Sequence, residues 1–330
     1  MGERVADAVS TAAERTATRR ASWLTPVAGG ALAWVGAVLL VQVLVALAPG
    51  DAVDTLPDPA LRAQLALDWG LGRPVWERIL TGTVHGITGA WGSSWTVQPG
   101  ADVAGMVGAA VVKSAPVLLG AWTLAVVVGL VARGRTALQA ATAASALPVL
   151  LLTLGLTQGT NAAVWYGMQR GWWPRPSFFA LPTEPGWVRD AVVIAALGIG
   201  SGALGEVAAR FAAADAALSE AGFVLAARAR SGSDPAHTSS AVRQLLWRHR
   251  VVPLLEASHA VFSPLVGGLV IVERLCARPG AGDLLWRAVA VRDVPVATGV
   301  VVALAGCTAA ISVAVELARR AWDPRLRHPA

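Results

Sequence analysis

Long apolar windows alternate with charged segments along the chain. The windows cover residues 27–48, 111–132, 137–160, 188–211, 254–272 and 296–317. Each has about the length of a helix that crosses a hydrocarbon core of about 30 Å. Pro148 interrupts the third window, which is therefore the least regular one. The pattern predicts an all-α polytopic membrane protein with six transmembrane helices.

The charged residues set the orientation of these helices. Hydrophobic residues make up 55% of the chain and charged residues 15%, whereas soluble domains carry about 25% charged residues. Most of the 27 Lys and Arg residues precede the first window, follow the last, or lie between windows two and three or four and five. Basic residues collect in cytoplasmic loops, so both termini are predicted to be cytoplasmic. The net charge of +6 then reflects membrane orientation, and we expect no nucleic acid partner.

The windows and charges also predict the domain organisation. A retained anchor explains the first window better than a secretory signal, because it is longer than the usual apolar core and no A-x-A cleavage site follows it. The predicted parts are a cytoplasmic N-terminal segment at 1–26, a first transmembrane helix at 27–48, an external loop at 49–107, a transmembrane core at 108–318 with a cytoplasmic loop at 212–253, and a cytoplasmic tail at 319–330.

Tryptophans are concentrated in the predicted external loop, at Trp69, Trp76, Trp91 and Trp95. Tryptophan favours the interface between membrane and water. The loop therefore either lies on the bilayer or meets an external partner, and the sequence supports both interpretations.

A few charged residues fall inside or beside the windows. Glu206 and Arg210 are four residues apart and can pair on one helix face. Glu316 lies close to two arginines at the predicted inner end of the sixth window, where pairing is again favoured over a transport role. Glu256 and His259 open the fifth window on the same side. We find no chain of acidic residues through the windows, which argues against a proton-coupled carrier.

Motifs that carry enzyme chemistry are missing from the sequence. It has no glycine-lysine phosphate loop, no HExxH and no paired cysteine motif. We therefore expect a non-catalytic chain without its own cofactor or metal. The glycines at 198, 200 and 202 fall in an apolar window and favour close helix packing. We expect no disulfide between Cys276 and Cys307.

The segment 226–253 is unusually basic, and its sequence predicts two short helices. Ser231-Gly232 breaks the first helix, and Asp234-Pro235 starts the second. Pro253 marks the entry to the fifth window. A DNA-binding helix-turn-helix is disfavoured because both ends are tethered to membrane windows. A docking element for a cytoplasmic protein fits better.

This segment resembles the cytoplasmic coupling loop of ABC importer permeases, and more narrowly the first membrane subunit of the dipeptide, oligopeptide and nickel importers. The resemblance rests on residues 223–230 and 248–253 and on motifs in the same order elsewhere in the chain. Those motifs are Pro49-Gly50-Asp51, residues 67–76, Gly92-Ser93-Ser94, residues 278–285, Arg292-Asp293-Val294-Pro295-Val296 and Asp323-Pro324-Arg325.

The departures from the family pattern are concentrated in the loop. Ser231 stands where the family has glycine, with Gly232 one position later, and His249 replaces the usual asparagine. The loop is also a few residues longer than usual, around positions 236–239.

The resemblance implies the ABC importer permease fold and a set of partners in the cell membrane. This chain would form half of a translocation pore with a second homologous permease subunit. Two cytoplasmic ABC ATPase subunits would bind ATP and Mg, and an external substrate-binding protein would deliver peptides or nickel and other metal chelates. The coupling residues implied are Arg228, Ala229, Ser231, Gly232, Asp234, Pro235, Arg248 and Pro253.

The alternative that the residues leave open is a membrane protein that works without an ATPase. It would be a self-contained carrier or a membrane scaffold. Co-purification of an ATPase and a second permease distinguishes these classes.

Overall fold

The chain is described by a computed structural model over residues 2–47, 50, 53, 59–132, 135–172, 186–220, 222 and 235–322. Within these ranges it forms eleven α-helices, which we number in chain order. They are α1 (Gly2–Leu47), α2 (Pro59–Asp68), α3 (Val75–Thr88), α4 (Val103–Val131), α5 (Arg135–Ser145), α6 (Val149–Gln169), α7 (Gly186–Gly200), α8 (Ala203–Glu220), α9 (Pro235–Leu275), α10 (Ala281–Ala290) and α11 (Val294–Trp322).

Four of these helices are long and apolar enough to cross a membrane on their own. They are Leu24–Leu47 within α1, Val103–Val131, Pro253–Leu275 within α9, and Val294–Trp322. Two further spans are possible if each of two bent helix pairs, α5 with α6 and α7 with α8, counts as one. The all-α membrane fold is confirmed, and all six predicted windows fall on helices.

The third window contains a sharp break. The helices α5 and α6 meet at 94°, and Pro148 is the residue directly before α6. Proline lacks the N–H that a continuing helix needs, and it disfavours helical backbone in the residue before it. The structure thus confirms that this window is the least regular one. The bend also places α5 against α8, where Gly205 N–H donates to Ser145 Oγ at 2.7 Å.

The fourth window bends by 51° between α7 and α8. Gly202 lies at the bend with a φ of +85°, a backbone conformation that favours glycine. At Gly200 an added Cβ would lie 2.7 Å from the Cα of Val149. The glycines of this window therefore let helices approach closely, as predicted.

The core of the bundle lies where α4, α7, α8 and α9 meet. Its buried members include Ala121, Leu197, Val207, Leu265 and Leu269. A second buried cluster joins the start of α4 to α10 and α11. Cys276 and Cys307 form no disulfide.

The predicted external segment is partly helical. The helix α3 runs antiparallel to the outer part of α1, because Gly82 faces Gln42 while Gly86 faces Val38. The α3 side chains away from α1 are apolar and exposed, among them Trp76, Leu80 and Val84. The next membrane helix, α4, begins at Val103, eight residues before the apolar window that predicts it. Asp102 explains this start, since its side chain accepts from Gly105 N–H at 2.7 Å as an N-cap.

Candidate functional site

The residues implied for ATPase coupling lie mostly outside the described part of the chain. This holds for Arg228, Ala229, Ser231, Gly232 and Asp234. Three others lie along α9, which begins at Pro235 and runs without interruption past Arg248 and Pro253 to Leu275. The second helix of the basic segment and the fifth membrane span are thus one helix. The described side chains of α9 begin at Pro253.

At the predicted cytoplasmic end, ion pairs join α11 to α9. Arg319 Nη2 lies 2.9 Å from Glu256 Oε1, and Arg319 Nη1 lies 3.0 Å from Glu316 Oε2. Arg320 Nε lies 2.8 Å from Glu316 Oε1. The sequence predicted the pairing of Glu316 with these arginines but not the link to Glu256.

On α8 the predicted pair between Glu206 and Arg210 is present, with Oε1 and Nε 2.6 Å apart. Arg210 also lines a cavity of about 370 Å³ together with Pro26 of α1, Glu256, His259, Glu316 and Arg319. The pairing supports the structural interpretation of all these charges.

At the opposite end of α9 lies a buried carboxylate that sequence reasoning missed. Glu273 is fully buried. The hydroxyl of Ser114 in α4 donates to its Oε1 at 2.7 Å, and Gly282 N–H donates to its Oε2 at 2.8 Å. Arg278 Nη1 lies 3.4 Å from Oε1. We call Glu273, Ser114, Gly282 and Arg278 the outer joint.

The outer joint reaches two further parts of the fold through Arg278. Its Nε donates to Asp190 Oδ1 of α7 at 2.7 Å, and its Nη1 donates to the carbonyl of Lys113 in α4 at 2.9 Å. Ser114 Oγ also accepts from Ala281 N–H at 2.8 Å. One carboxylate and one guanidinium therefore fasten α4, α7, α9 and the start of α10 together.

Two glycines allow the chain after α9 to pack closely against the Glu273 carboxylate and the backbone of α9. A Cβ at Gly280 would collide with the Glu273 carboxylate, and one at Gly282 would lie 2.6 Å from the Cα of Val270. This carboxylate is fully buried and accepts hydrogen bonds from α4 and from the start of α10, so we interpret it as a group that holds helices together. The signal in the sequence was an acidic residue directly after the fifth window, followed by Arg278-Pro279-Gly280.

A second buried carboxylate fastens the segment 94–97 to the start of α11. Asp293 is fully buried, and its Oδ2 accepts from the Ser94 hydroxyl at 2.6 Å and from the backbone N–H groups of Thr96 and Val97 at 2.9 Å each. Burial disfavours its charge, but these hydrogen bonds outweigh that effect and hold the pKa of Asp293 below its usual range.

This attachment also fixes an aromatic pair. Between Ser94 and Thr96 lies Trp95, which stacks on Trp69 with ring centroids 4.4 Å apart and planes within 3° of parallel. The described part of the predicted external segment around Trp69 and Trp95 therefore forms a defined surface.

Comparison with known proteins assigns the family. The sequence model for "Binding-protein-dependent transport system inner membrane component" matches residues 124–328, which is more than half of the chain. This chain belongs to that family.

Individual relatives carry names from peptide transport. A "Putative peptide transport system permease protein" of Brucella abortus (strain 2308) is 28% identical over 168 residues, covering 51% of this chain and 52% of the relative. A "Putative peptide permease protein" of Brucella ovis is 25% identical over 312 residues, covering 88% of this chain and 93% of the relative. The chain thus spans about half the length of the first of these relatives.

The family match covers the C-terminal part of the chain, from residue 124 to residue 328. It begins within α4 and includes Glu273, Arg278, Asp293 and the whole basic segment. The helices α1, α2 and α3 and the segment with Trp95 lie before it. The family match therefore covers most of the predicted membrane core, whereas the tryptophans of the predicted external segment precede it.

No metal centre is evident in the described residues, where no three His, Cys, Asp or Glu side chains come together as a possible metal site.

Proposed function

We propose that this chain is a permease subunit of an ATP-driven importer of peptides, forming half of the translocation pore. The observation that carries the proposal is the family match over residues 124–328 together with relatives whose names specify peptide transport. Those names favour peptides over nickel or other metal chelates as the substrate class.

The partners of such a subunit follow from the family name and from the topology. We expect a second homologous permease subunit, two cytoplasmic ATPase subunits that bind ATP and Mg, and an external substrate-binding protein. This chain would bind no nucleotide itself.

The continuous helix α9 supports a coupling route through the membrane. It has 41 residues, which corresponds to roughly 60 Å at 1.5 Å per residue. Its first residues belong to the segment implied for ATPase docking, and its last turn carries Glu273 of the outer joint. Because a helix transmits force along its axis, a force applied at Pro235 would act on the membrane span of α9 up to its attachment at the outer joint.

Uptake and co-purification test the proposal together. Deleting the gene should abolish uptake of a labelled peptide by cells, and the tagged chain should co-purify with an ATPase and a second permease. An ATPase-independent carrier would keep its activity in vesicles without ATP and would bring down no ATPase. Peptide uptake that continues at the wild-type rate in the deletion strain would refute the proposal.

The docking segment has its own test. Replacing Gly232 with Leu and Asp234 with Lys should reduce peptide uptake and ATPase stimulation while membrane insertion stays intact. Glu220→Lys is the matched control, because this exposed acid ends α8 just before the segment and is not among the implied coupling residues. If the double variant imports peptide as well as Glu220→Lys does, the segment is not the docking element.

A further inference from the structure

The helix α3 lies beside the outer halves of two membrane-crossing helices, although it belongs to the predicted external segment. An added Cβ at Gly86 of α3 would lie 2.7 Å from Cγ1 of Val38 in α1 and 3.7 Å from Cγ2 of Val302 in α11. Val38 is nine residues from Leu47, where the span of α1 ends, and Val302 is eight residues from the start of α11. At 1.5 Å per residue, both helices place Gly86 about 12–14 Å from their external ends. This level falls within the outer half of a hydrocarbon core of about 30 Å.

Beyond α3 the chain turns back towards the external side. Gly89 ends the helix with a φ of +74°. Trp91 then packs against Gly299 of α11, where an added Cβ would lie 3.0 Å from Trp91 Cε3. The next residues are bonded to Asp293, directly before α11. The contacts with α11 thus move outward from Val302 to Asp293, so α3 and the residues after it enter and leave on the same side.

One face of α3 is apolar and exposed. Trp76, Leu80, Val84 and Ile87 recur at spacings of three or four residues, which places them on the same side of the helix. Another side carries His85, which lines a cavity of about 390 Å³ between α3, the outer end of α1 and the start of α11. The helix therefore separates a polar cavity from an outward apolar face.

The chemistry of this segment suits hydrocarbon. Residues 79–101 contain no Asp, Glu, Lys or Arg, and the charged residues Glu77 and Arg78 lie near the external start of α3. Thr83 and Thr88 each donate to the carbonyl four residues earlier, at 2.7 and 2.8 Å. Inside a bilayer polar groups must be bonded within the protein, and these hydroxyls meet that requirement.

The outward face differs from a helix-packing face. Helix contacts in membranes are enriched in small residues, and the small residues Gly82 and Gly86 of α3 face α1. The outward side chains are large instead. Trp76 precedes Gly86 by ten residues and so lies about 15 Å nearer the external side, near the external ends of α1 and α11, and tryptophan favours the interface between membrane and water.

We infer that α3 and the turn after it form a re-entrant element in the external leaflet of the membrane, with the outward face in contact with lipid acyl chains. With 14 residues, about 21 Å, α3 is too short to cross the bilayer. Its return segment is non-helical, which a membrane tolerates where the backbone lines a cavity or is buried in protein, and Ala90, Trp91 and Trp95 line the cavity. Of the two interpretations of the tryptophan-rich segment, the one with α3 in the bilayer is thus favoured.

Site-directed spin labelling of the full chain tests the inference. The chain carries Cys276→Ser and Cys307→Ser, so that the label attaches to a single new cysteine, and it is reconstituted in liposomes of phosphatidylethanolamine and phosphatidylglycerol. Collision rates are measured with oxygen, which concentrates in hydrocarbon, and with a nickel chelate, which stays in water. Leu80→Cys and Ile87→Cys should favour oxygen, and more strongly at the deeper Ile87. His85→Cys is the matched control, because it lies about 3 Å from Ile87 along the axis but faces the cavity, and it should collide with the chelate more often.

Equal collision of the chelate with the labels at Ile87 and His85 would overturn the inference, because both faces of α3 would then lie in water. Cover by another protein is examined in cells with p-benzoylphenylalanine in place of Ile87. Irradiation should give an adduct of the chain with phospholipid, detected by mass spectrometry. An adduct with a second membrane subunit or with an external protein would show that a protein covers this face, and the lipid contact would be wrong. Neither measurement depends on peptide uptake, so its failure leaves the proposed function intact.

Discussion

Replacing Glu273 with Ala should destabilise the protein strongly. Among the acidic side chains that form ion pairs in the described part of the chain, we expect its removal to have the largest effect. Glu273 is fully buried and its Arg278 partner is 11% exposed. Removing one member of a buried ion pair costs about 3–5 kcal/mol because the other charge stays buried. Arg278 keeps Asp190 as a partner at 2.7 Å, so we expect the lower end of that range, about 3 kcal/mol.

Conservative and paired substitutions separate charge from space. Glu273→Gln keeps the volume but places an amide donor against either the Ser114 hydroxyl or Gly282 N–H, at a cost of about 1–3 kcal/mol for the unsatisfied group. Adding Arg278→Ala to Glu273→Ala should cost less than the sum of the two single changes, because the second change removes the charge that the first left without its buried partner.

Thermal stability of the purified chain in detergent, followed by the loss of the monodisperse peak in size-exclusion chromatography, measures these effects. The control is Glu206→Ala, since the Glu206–Arg210 pair is 47% and 40% exposed and such a pair contributes about 0.3–0.5 kcal/mol. The expected order of melting temperatures is Glu206→Ala, then Glu273→Gln, then Glu273→Ala as the lowest. If Glu273→Ala melts with Glu206→Ala, the outer joint does not hold the helices together.

Three further predictions concern other contacts. Because the pKa of Asp293 is held below its usual 3.8, its ionised form stabilises the fold above that value, and this contribution is lost as the pH falls through the lowered pKa. Melting temperature should therefore drop on acidification below about pH 4, and the drop should be smaller in Asp293→Asn. Arg319→Ala removes the ion pair with Glu256 and should lower the melting temperature only slightly. Both side chains are partly exposed, and such a pair contributes about 1 kcal/mol or less to the free energy of unfolding. Gly200→Val should reduce the yield of folded protein in membranes, since even a Cβ would lie 2.7 Å from the Cα of Val149, and the unobstructed Gly155→Val is its control.

The apolar pattern predicts the helices well but not how they bend. All six windows became helices because a membrane requires backbone groups to be bonded within each segment. The break in the third window could be predicted from Pro148, because the effect of proline on the backbone is local. The angle of 94° there and the packing of α5 on α8 could not be predicted, because they depend on side chains that meet only in three dimensions.

The candidate site was predicted unevenly for a related reason. The pairs Glu206–Arg210 and Glu316–Arg320 are four residues apart, and helical periodicity reveals them. The contact between Ser114 and Glu273 joins residues 159 positions apart, and no local pattern encodes it. Glu273 directly follows the apolar window at 254–272, so the hydropathy pattern does not mark it as a residue of the span.

The two ends of the α9 span are held with different strength, and the difference bears on how the proposed coupling would act. Glu256 and Glu273 are 17 residues apart on one helix, about 25 Å at 1.5 Å per residue, close to the thickness of the hydrocarbon core. At the predicted external end, the buried outer joint ties α9 to α4 and α7 through Ser114, Arg278 and backbone groups. At the predicted cytoplasmic end, an ion pair between partly exposed Glu256 and Arg319 joins α9 to α11, and water screens this pair. A force applied near Pro235 therefore meets the weaker attachment first, so α9 would move at its cytoplasmic end while its external end stays fastened.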